Sequence, residues 1–182
     1  MFDIRKIQEQ VIFGSVKNAS DDKLATKIVY GEHELSSSED NATWVKSTMN
    51  RLESNFDSSA VKQIRMNCQC GYGMDKKLAL VQELVASSSN LEEFANQDKA
   101  KAAGLSYTNG ELYLQFPFCP CPMLIDVDKL DTDTWCQCTA GYSKVLFEKA
   151  FGCEVVVELL KSIKMGDDIC LMKIIPRDSI YK

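Results

Sequence analysis

The sequence has one histidine, His33, and lacks the short motifs that mark common catalytic sites. It contains no Gly-x-Ser-x-Gly, no phosphate-binding loop and no dinucleotide fingerprint. With one histidine in 182 residues, histidine-based acid–base or metallohydrolase chemistry has little support. The sequence therefore leaves open whether the protein is an enzyme.

Long apolar runs and an excess of basic residues are also missing. No run reaches the roughly 18 apolar residues of a membrane span. The net charge of −5 argues against a nucleic acid or an anionic membrane as partner. The first residues lack the basic region and cleavage site of a signal peptide, so we expect a cytoplasmic protein. A small molecule is the expected partner, and the oligomeric state is left open.

Cysteine, by contrast, is abundant. Six of the eight cysteines form three Cys-x-Cys pairs, which are Cys68 with Cys70, Cys119 with Cys121, and Cys136 with Cys138. In extended backbone, residues i and i+2 point to the same side, so both sulfurs of a pair could reach one target. A disulfide within a pair would close a very tight ring. In a reducing cytoplasm, such thiols indicate metal binding or reactive thiols more than a disulfide framework.

All six paired cysteines are therefore candidate metal ligands, and we expect at least four of their sulfurs to converge. Zinc is the first choice and an iron–sulfur cluster the alternative, which the spacing alone does not separate. Redox thiols and simple burial of small apolar side chains remain as other interpretations. Four thiolates on Zn²⁺ carry a net charge of −2, and Lys76, Lys77 or Lys144 are expected to offset it.

Residues 1–40 are weakly patterned, and we interpret them as an N-terminal appendage to a single domain over residues 41–182. Helical periodicity then predicts four helices, which begin after Asn41, after Asp57, at Asp75 and at Leu91, the last one ending near Lys101. Asn109-Gly110 between two strand-like runs predicts a hairpin. A further helix is predicted from about Ser143 to Gly152.

The chain closes with two apolar runs, 153–163 and 169–175, which predict a second antiparallel hairpin. Because apolar residues occupy most positions from Val155 to Leu160, we expect this strand to be covered on much of both faces. The predicted fold class is α+β, in which N-terminal helices precede two hairpins and helices back the antiparallel sheet on one side.

Several short patterns between Cys136 and Ile175 resemble a known family. They are Gly141-Tyr142, Phe151-Gly152, Val155-x-Val157-Glu158 and Gly166-Asp167-x-x-Cys170. This stretch resembles the C-terminal half of the 4-vinyl-reductase-type small-molecule-binding domains, and it is similar to bacterial aminothiazoline-carboxylate hydrolase-like proteins. The resemblance implies a helix-backed sheet with an apolar pocket. In some members it also implies a zinc site, whose ligands here would be Cys136 or Cys138, Glu158 and Cys170.

The helix before Gly152 has a wider apolar face than a single packing contact needs. We therefore expect a ligand pocket between this helix and the final hairpin, lined by Tyr142, Phe147, Phe151 and Val157, with Glu158 orienting the ligand. The predicted function is a cytoplasmic, zinc-binding, small-molecule-binding protein. One alternative is a hydrolase-like enzyme acting on a small heterocyclic or thioether substrate, and the other is a thiol-redox or iron–sulfur protein.

Overall fold

A computed structural model describes residues 3–32 and 39–181. In this part of the chain, eight α-helices and two short 3₁₀ helices account for 54% of the residues, and a four-stranded antiparallel sheet accounts for 14%. The α+β class predicted from the sequence is confirmed. His33 lies outside the described residues. No helix in the described ranges is both long enough and apolar enough to cross a membrane.

The helices and strands have the following bounds. The helices are α1 (Ile4–Ala19), α2 (Asp22–Tyr30), α3 (Asn41–Asn55), α4 (Ser58–Met66), α5 (Met74–Ala86), α6 (Leu91–Asn96), α7 (Asp98–Ala102) and α8 (Gln137–Phe151). The strands are β1 (Leu105–Thr108), β2 (Glu111–Phe116), β3 (Val155–Lys161) and β4 (Cys170–Pro176). Two single turns of 3₁₀ helix cover Pro122–Leu124 and Ile163–Met165.

The chain divides into two compact units. The first contains residues 1–70 and 120–141, and the second contains residues 71–119 and 142–182. This differs from the predicted appendage followed by one domain. Ile12 and Val16 of α1 and Ile28 of α2 are fully buried, so the N-terminal residues contribute to the core of the first unit. Their periodicity is weak because polar side chains interrupt the apolar stripe.

Acidic or amide side chains cap five of the helices at their N-termini. Each cap accepts a hydrogen bond from the backbone N–H three residues later, and the capping residues are Asp3, Asp21, Asp40, Asp57 and Asn90. Such a cap contributes about 1 kcal/mol. The predicted helix starts after Asp57 and at Leu91 are confirmed, whereas α3 is capped by Asp40 and begins at Asn41 itself.

The predicted helix from Leu91 to about Lys101 is broken into α6 and α7. Gln97 between them is extended, with φ −63° and ψ 143°. Its side-chain Nε2 donates to the carbonyl oxygen of Leu84 at 3.0 Å and to Ser88 Oγ at 2.6 Å, both at the C-terminal end of α5. These tertiary bonds outweigh the local preference for one continuous helix.

Trp44 of α3 organises the core of the first unit. Its ring meets that of Trp135 edge-on at a centroid distance of 5.7 Å, and its Nε1 donates to the carbonyl oxygen of Val29 at 2.9 Å. The guanidinium of Arg5 lies 4.0 Å above the same ring. One aromatic side chain therefore joins α1, α2, α3 and the segment before α8.

The sheet of the second unit has the strand order β1-β2-β4-β3, and every neighbouring pair is antiparallel. Both predicted hairpins are confirmed. Asn109 and Gly110 join β1 to β2 with positive φ values of 54° and 81°, as a tight type I′ turn requires. Gly166, with φ 101°, ends the 3₁₀ turn that follows β3.

Only one face of this sheet is buried. Its buried side chains are Leu105, Leu112, Leu114, Val155, Val157, Cys170, Met172 and Ile174. Ser143 of α8 donates a hydrogen bond to Met172 Sδ at 3.5 Å on this face, and Phe94 of α6 packs against Phe151 of α8 with ring centroids 5.8 Å apart. The expectation that β3 is covered on both faces is wrong, because Glu158 and Lys161 are exposed.

A substitution of Phe147 shows whether this face of α8 is packed core. The same face was predicted to line a ligand pocket. The side chain is 1% exposed and its ring lies 5.2 Å from that of Phe151. We expect Phe147→Ala to lower the free energy of unfolding by about 3–5 kcal/mol, measured by urea denaturation, because it leaves a cavity.

The matched control is Phe118→Ala, since Phe118 is 60% exposed. This change should alter the free energy of unfolding by no more than about 0.5 kcal/mol. Similar small losses for both variants would mean that Phe147 lines open space instead of core.

Candidate thiol site

The backbones of α4 and α8 touch where α8 contains Gly141. A Cβ atom at this position would lie 1.9 Å from the carbonyl oxygen of Met66, the last residue of α4. Only glycine permits so close an approach. Cys138 precedes Gly141 by one helical turn and Cys68 follows Met66 by two residues, so the contact brings the two cysteines together.

The two cysteines are directly joined by a hydrogen bond. Cys138 Sγ donates to the carbonyl oxygen of Cys68 at 3.0 Å, and Cys68 Sγ donates to that of Ile64 at 3.1 Å. Gln8 of α1 approaches from another side, with its Nε2 at 3.8 Å from Cys138 Sγ. Cys68, Cys138 and Gln8 are all buried.

Two further cysteines of the first unit lie within electrostatic reach of Cys138. They are Cys70 and Cys121. The indole Nε1 of Trp135 donates to Cys121 Sγ at 3.4 Å. Three separate segments of the chain therefore contribute Cys68, Cys70, Cys121 and Cys138, which we call the thiol cluster.

Arg65 of α4 is the cation beside the thiol cluster, and its side chain is completely buried. Its Nε and one terminal nitrogen donate to the carbonyl oxygens of Thr134 and Trp135 at 3.4 Å and 3.0 Å. The guanidinium also stacks on the Trp135 ring at 4.4 Å. Its other terminal nitrogen has no hydrogen bond of ordinary geometry, although a side-chain contact of Arg65 lowers the pKa of Cys68. Within the described ranges, no carboxylate forms an ion pair with Arg65.

Burial raises the pKa of the Cys68 thiol and of the Cys138 thiol. The Arg65 guanidinium opposes this rise in both cases, but burial outweighs it. The neighbouring thiols of Cys121 and Cys70 raise the pKa of Cys138 further. Both buried thiols are therefore neutral at pH 7, and they leave the positive charge of Arg65 uncompensated.

The six cysteines predicted as metal ligands fall into two groups. Cys68, Cys70, Cys121, Cys136 and Cys138 belong to the first unit, and Cys119 belongs to the second. None of the eight cysteines forms a disulfide in the described structure. In the described ranges, no set of three or more His, Cys, Asp or Glu side chains is placed to hold a metal ion as it stands.

The third pair does not follow the extended geometry assumed from the sequence. Cys136 lies in the turn before α8, and Cys138 lies in its first turn. Successive helical residues are rotated by about 100°, so side chains two positions apart diverge. A Cys-x-Cys pair at a helix start therefore cannot direct both sulfurs to one point in the way an extended pair can.

The expected counter-charges are also differently placed. Lys77 lies 4.8 Å above the ring of Tyr142, and Lys144 pairs with Glu148, all in the second unit.

Sequence reasoning missed Arg65 and Gln8. Both interrupt an apolar helical stripe, Gln8 four residues before Ile12 and Arg65 four residues after Val61, and that interruption is the signal that could have identified them.

Most of the side chains that were predicted to line a ligand pocket are core residues of the second unit. Phe147, Phe151 and Val157 are buried. Tyr142 is half-buried and donates its hydroxyl proton to the carbonyl oxygen of Tyr72 at 2.9 Å. Glu158 is exposed and lies beside Lys173 of the neighbouring strand. The structure therefore does not bring Glu158 to the apolar side chains whose ligand it was expected to orient.

The metal ligands implied by the family resemblance are not brought together either. Glu158 pairs in register with Lys173. Cys170, three residues before Lys173 in the same strand, is on the buried face. Residues separated by an odd number along a strand point to opposite faces. Glu158 and Cys170 therefore lie on opposite sides of the sheet and cannot bind one metal ion.

An open groove of about 570 Å³ lies elsewhere in the second unit. Tyr107, Lys173 and Tyr181 are among its lining residues, and none of the five predicted pocket residues is. Its volume is in the range of small-molecule sites. Small-molecule binding thus stays a prediction, with this groove as another place to test it.

The contact between α4 and α8 can be tested by adding one methyl group. We expect Gly141→Ala to lower the free energy of unfolding by about 1–3 kcal/mol, since the Cβ atom would overlap the Met66 carbonyl oxygen and force the helices apart. Chemical denaturation measures this change.

Gly14→Ala in α1 is the control, because no heavy atom lies within 4 Å of its Cβ position. Alanine favours a helix over glycine, so Gly14→Ala should raise the free energy of unfolding by about 0.5–1 kcal/mol. Stabilisation by both substitutions would argue against the close approach at Gly141.

Comparison with known proteins gives one family match. No curated protein and no solved structure matches this chain. The resemblance to 4-vinyl-reductase-type domains and to aminothiazoline-carboxylate hydrolase-like proteins therefore stays a prediction. The model of a family of unknown function, DUF6144, matches residues 1–181. Because that match covers nearly the whole sequence, the chain belongs to the DUF6144 family.

Proposed function

We propose that the protein binds a soft metal ion, with zinc as the first choice, through the thiolates of Cys68, Cys70, Cys121 and Cys138. The observation that carries this proposal is the hydrogen bond from Cys138 Sγ to the carbonyl oxygen of Cys68, with Cys70 and Cys121 near enough to act electrostatically on Cys138. Thiolates are preferred ligands of zinc, and four of them complete a tetrahedral site.

The environment of the cluster favours metal binding over redox chemistry. A reactive cysteine is partly exposed and has a lowered pKa, whereas burial raises the pKa of Cys68 and Cys138. Neutral buried thiols are poor nucleophiles and react slowly with oxidants. A metal ion can bind such thiols despite their raised pKa, because metal–sulfur bonds form as the thiol protons are released.

Metal binding requires two of the thiols to turn. Cys68 Sγ and Cys138 Sγ now donate to the carbonyl oxygens of Ile64 and Cys68. A deprotonated sulfur cannot donate, so both hydrogen bonds are lost when the thiolates form. A change of side-chain rotamer then lets the sulfurs approach a zinc ion at about 2.3 Å.

The proposal includes a location and a role. Thiols persist in a reducing compartment, so we place the protein in the cytoplasm. A site filled by four sulfurs has no open position for a substrate, and the metal then stabilises the fold without taking part in catalysis. Hydrolysis of a small heterocycle or thioether would need one position left open.

The first test is the metal content of protein purified under reducing conditions. We expect about one zinc per chain by elemental analysis and no visible absorption. Cys138→Ser should abolish stoichiometric zinc and lower the melting temperature, because a metal present at about 1,000 times its Kd stabilises a fold by about 4 kcal/mol. Iron with visible absorption would instead identify an iron–sulfur cluster.

Cys153→Ser is the matched control. Cys153 lies in the second unit and outside the thiol cluster. This variant should retain its zinc and its melting temperature. Wild-type protein without any bound metal, whose melting temperature stays the same with zinc or with chelator, would contradict the proposal.

The pH dependence of zinc affinity tests whether thiols are the ligands. In the metal-free protein, burial keeps the pKa of Cys68 and Cys138 raised, so both are protonated at pH 7. Zinc must release these two protons, and its apparent affinity should increase at least about 100-fold from pH 6 to pH 7. Competition with a chelator of known pH dependence measures this.

The change of zinc affinity between pH 6 and pH 7 distinguishes thiolate ligands from carboxylate ligands. Carboxylates have ordinary pKa values near 4 and are already ionised at pH 6. An affinity that does not change between pH 6 and pH 7 would therefore point to aspartate or glutamate ligands elsewhere. In the Cys68→Ser variant, the increase in zinc affinity from pH 6 to pH 7 should be about tenfold smaller, because one proton fewer is released.

A further inference from the structure

The open groove of the second unit lies where the pairing of β2 with β4 ends. The last residues paired between these strands are Leu112 and Ile174, whereas β4 continues to Pro176. Beyond Ile174, the described pairing of β4 is with β3. The groove is the resulting gap, and it has the β1–β2 turn at Gly110 on one side and the end of β4 at Pro176 on the other.

The segment after β4 forms another wall of the groove. Residues 178–181 all line it. The backbone N–H of Arg177 donates to the carbonyl oxygen of Glu154 at 2.9 Å and holds the start of this segment. At its other end, the hydroxyl of Tyr181 is buried and contacts the Ser88 side chain. The wall is therefore fixed to the rest of the unit at both ends.

The charged side chains of the groove leave one carboxylate unbalanced. Its lining includes two carboxylates, Glu111 and Asp178, and one cation, Lys173. Lys173 Nζ donates to Glu111 Oε1, so these two charges balance each other. Among the described residues, Asp178 forms no ion pair. Burial raises the pKa of the Tyr181 hydroxyl, and the nearby carboxylate of Glu93 raises it further. The groove therefore favours a positively charged ligand.

Two tyrosines and several aliphatic side chains complete the lining. Tyr107 and Tyr181 are both half-buried there. A tyrosine ring attracts a cation that lies over its face. Leu91, Ile175 and Ile180 provide apolar surface. Because small-molecule sites typically combine apolar walls with a few polar groups, such a lining suits a molecule that is charged at one end and apolar at the other.

We propose that this groove binds an organic cation, in which an ammonium group is attached to an aromatic or aliphatic body. Asp178 provides the opposite charge, the rings of Tyr107 and Tyr181 attract the ammonium group, and the aliphatic side chains cover the body. The groove volume of about 570 Å³ is sufficient for such a molecule. The cysteines of the proposed metal site all belong to the first unit, so this inference is independent of that site.

Probes that share a phenylethyl group test the preference for positive charge. Phenethylamine is a cation, 3-phenylpropionate is an anion and 2-phenylethanol is neutral. Each probe is titrated into the full chain, and binding is followed through the backbone amide signals in NMR spectra. We expect phenethylamine to bind with a Kd of about 1 mM or lower, and the other two probes to bind at least about tenfold more weakly. The amide signals that shift should include those of residues 107–112 and 174–181.

Substitutions in the groove test its individual groups. Asp178 is exposed, and Asp178→Asn should weaken phenethylamine binding about two- to fivefold without changing the fold. Tyr107→Leu should weaken it by a similar factor, whereas Tyr107→Phe keeps the ring and should bind as the wild type does. The matched control is Asp131→Asn, because Asp131 is also exposed but lies in the first unit. This control changes the net charge equally and should leave the Kd unchanged.

The proposal is overturned if phenethylamine binds no more tightly than 3-phenylpropionate, or if its Kd exceeds about 10 mM. Amide shifts confined to residues outside the groove would also contradict it. If Asp131→Asn weakens binding as much as Asp178→Asn does, the overall charge of the protein attracts the cation, and the groove does not. A Tyr107→Phe variant as weak as Tyr107→Leu would overturn the role of the ring, because the hydroxyl would then be the group that matters.

Discussion

The approach of α8 to the end of α4 is the constraint on which the thiol site depends. It places a helix backbone against the carbonyl oxygen of Met66 at a distance that no Cβ atom allows, and Gly141 is the residue that permits it. The same contact aligns the first turn of α8 with the segment that follows α4. Cys138 therefore meets Cys68, although 69 residues separate them in the sequence.

Features that depend on short-range signals could be predicted from the sequence. The α+β class, the Asn109-Gly110 hairpin and the caps at Asp57 and Asn90 follow from residues that are neighbours in the chain. Cys68 and Cys138 were among the six predicted metal ligands, and they lie side by side, but metal binding by them stays a prediction. The break at Gln97 could not be predicted, since its cause is a pair of hydrogen bonds to the end of α5.

The parts of the site that were missed depend on backbone state and on packing. The spacing argument for Cys-x-Cys pairs holds in extended backbone, and the third pair lies at a helix start. Glu158 was expected to face apolar side chains, but the sheet is buried on one face only, and Glu158 lies on the other. Arg65 was missed because a charged residue next to apolar ones is normally solvated, and burial cannot be inferred from one position.

The charges of the first unit can be followed one step further. Burial raises the pKa of Cys68 and of Cys138 by more than the guanidinium of Arg65 lowers it, so the thiols stay neutral beside a buried cation. Cys138 lies within the first turn of α8. The first backbone N–H groups of α8 add little to this positive potential, because those of Gln137, Cys138 and Thr139 already donate to the carbonyl oxygens of Thr134, Trp135 and Cys136. The positive charge beside Cys138 therefore comes from Arg65, which the neutral thiols do not balance.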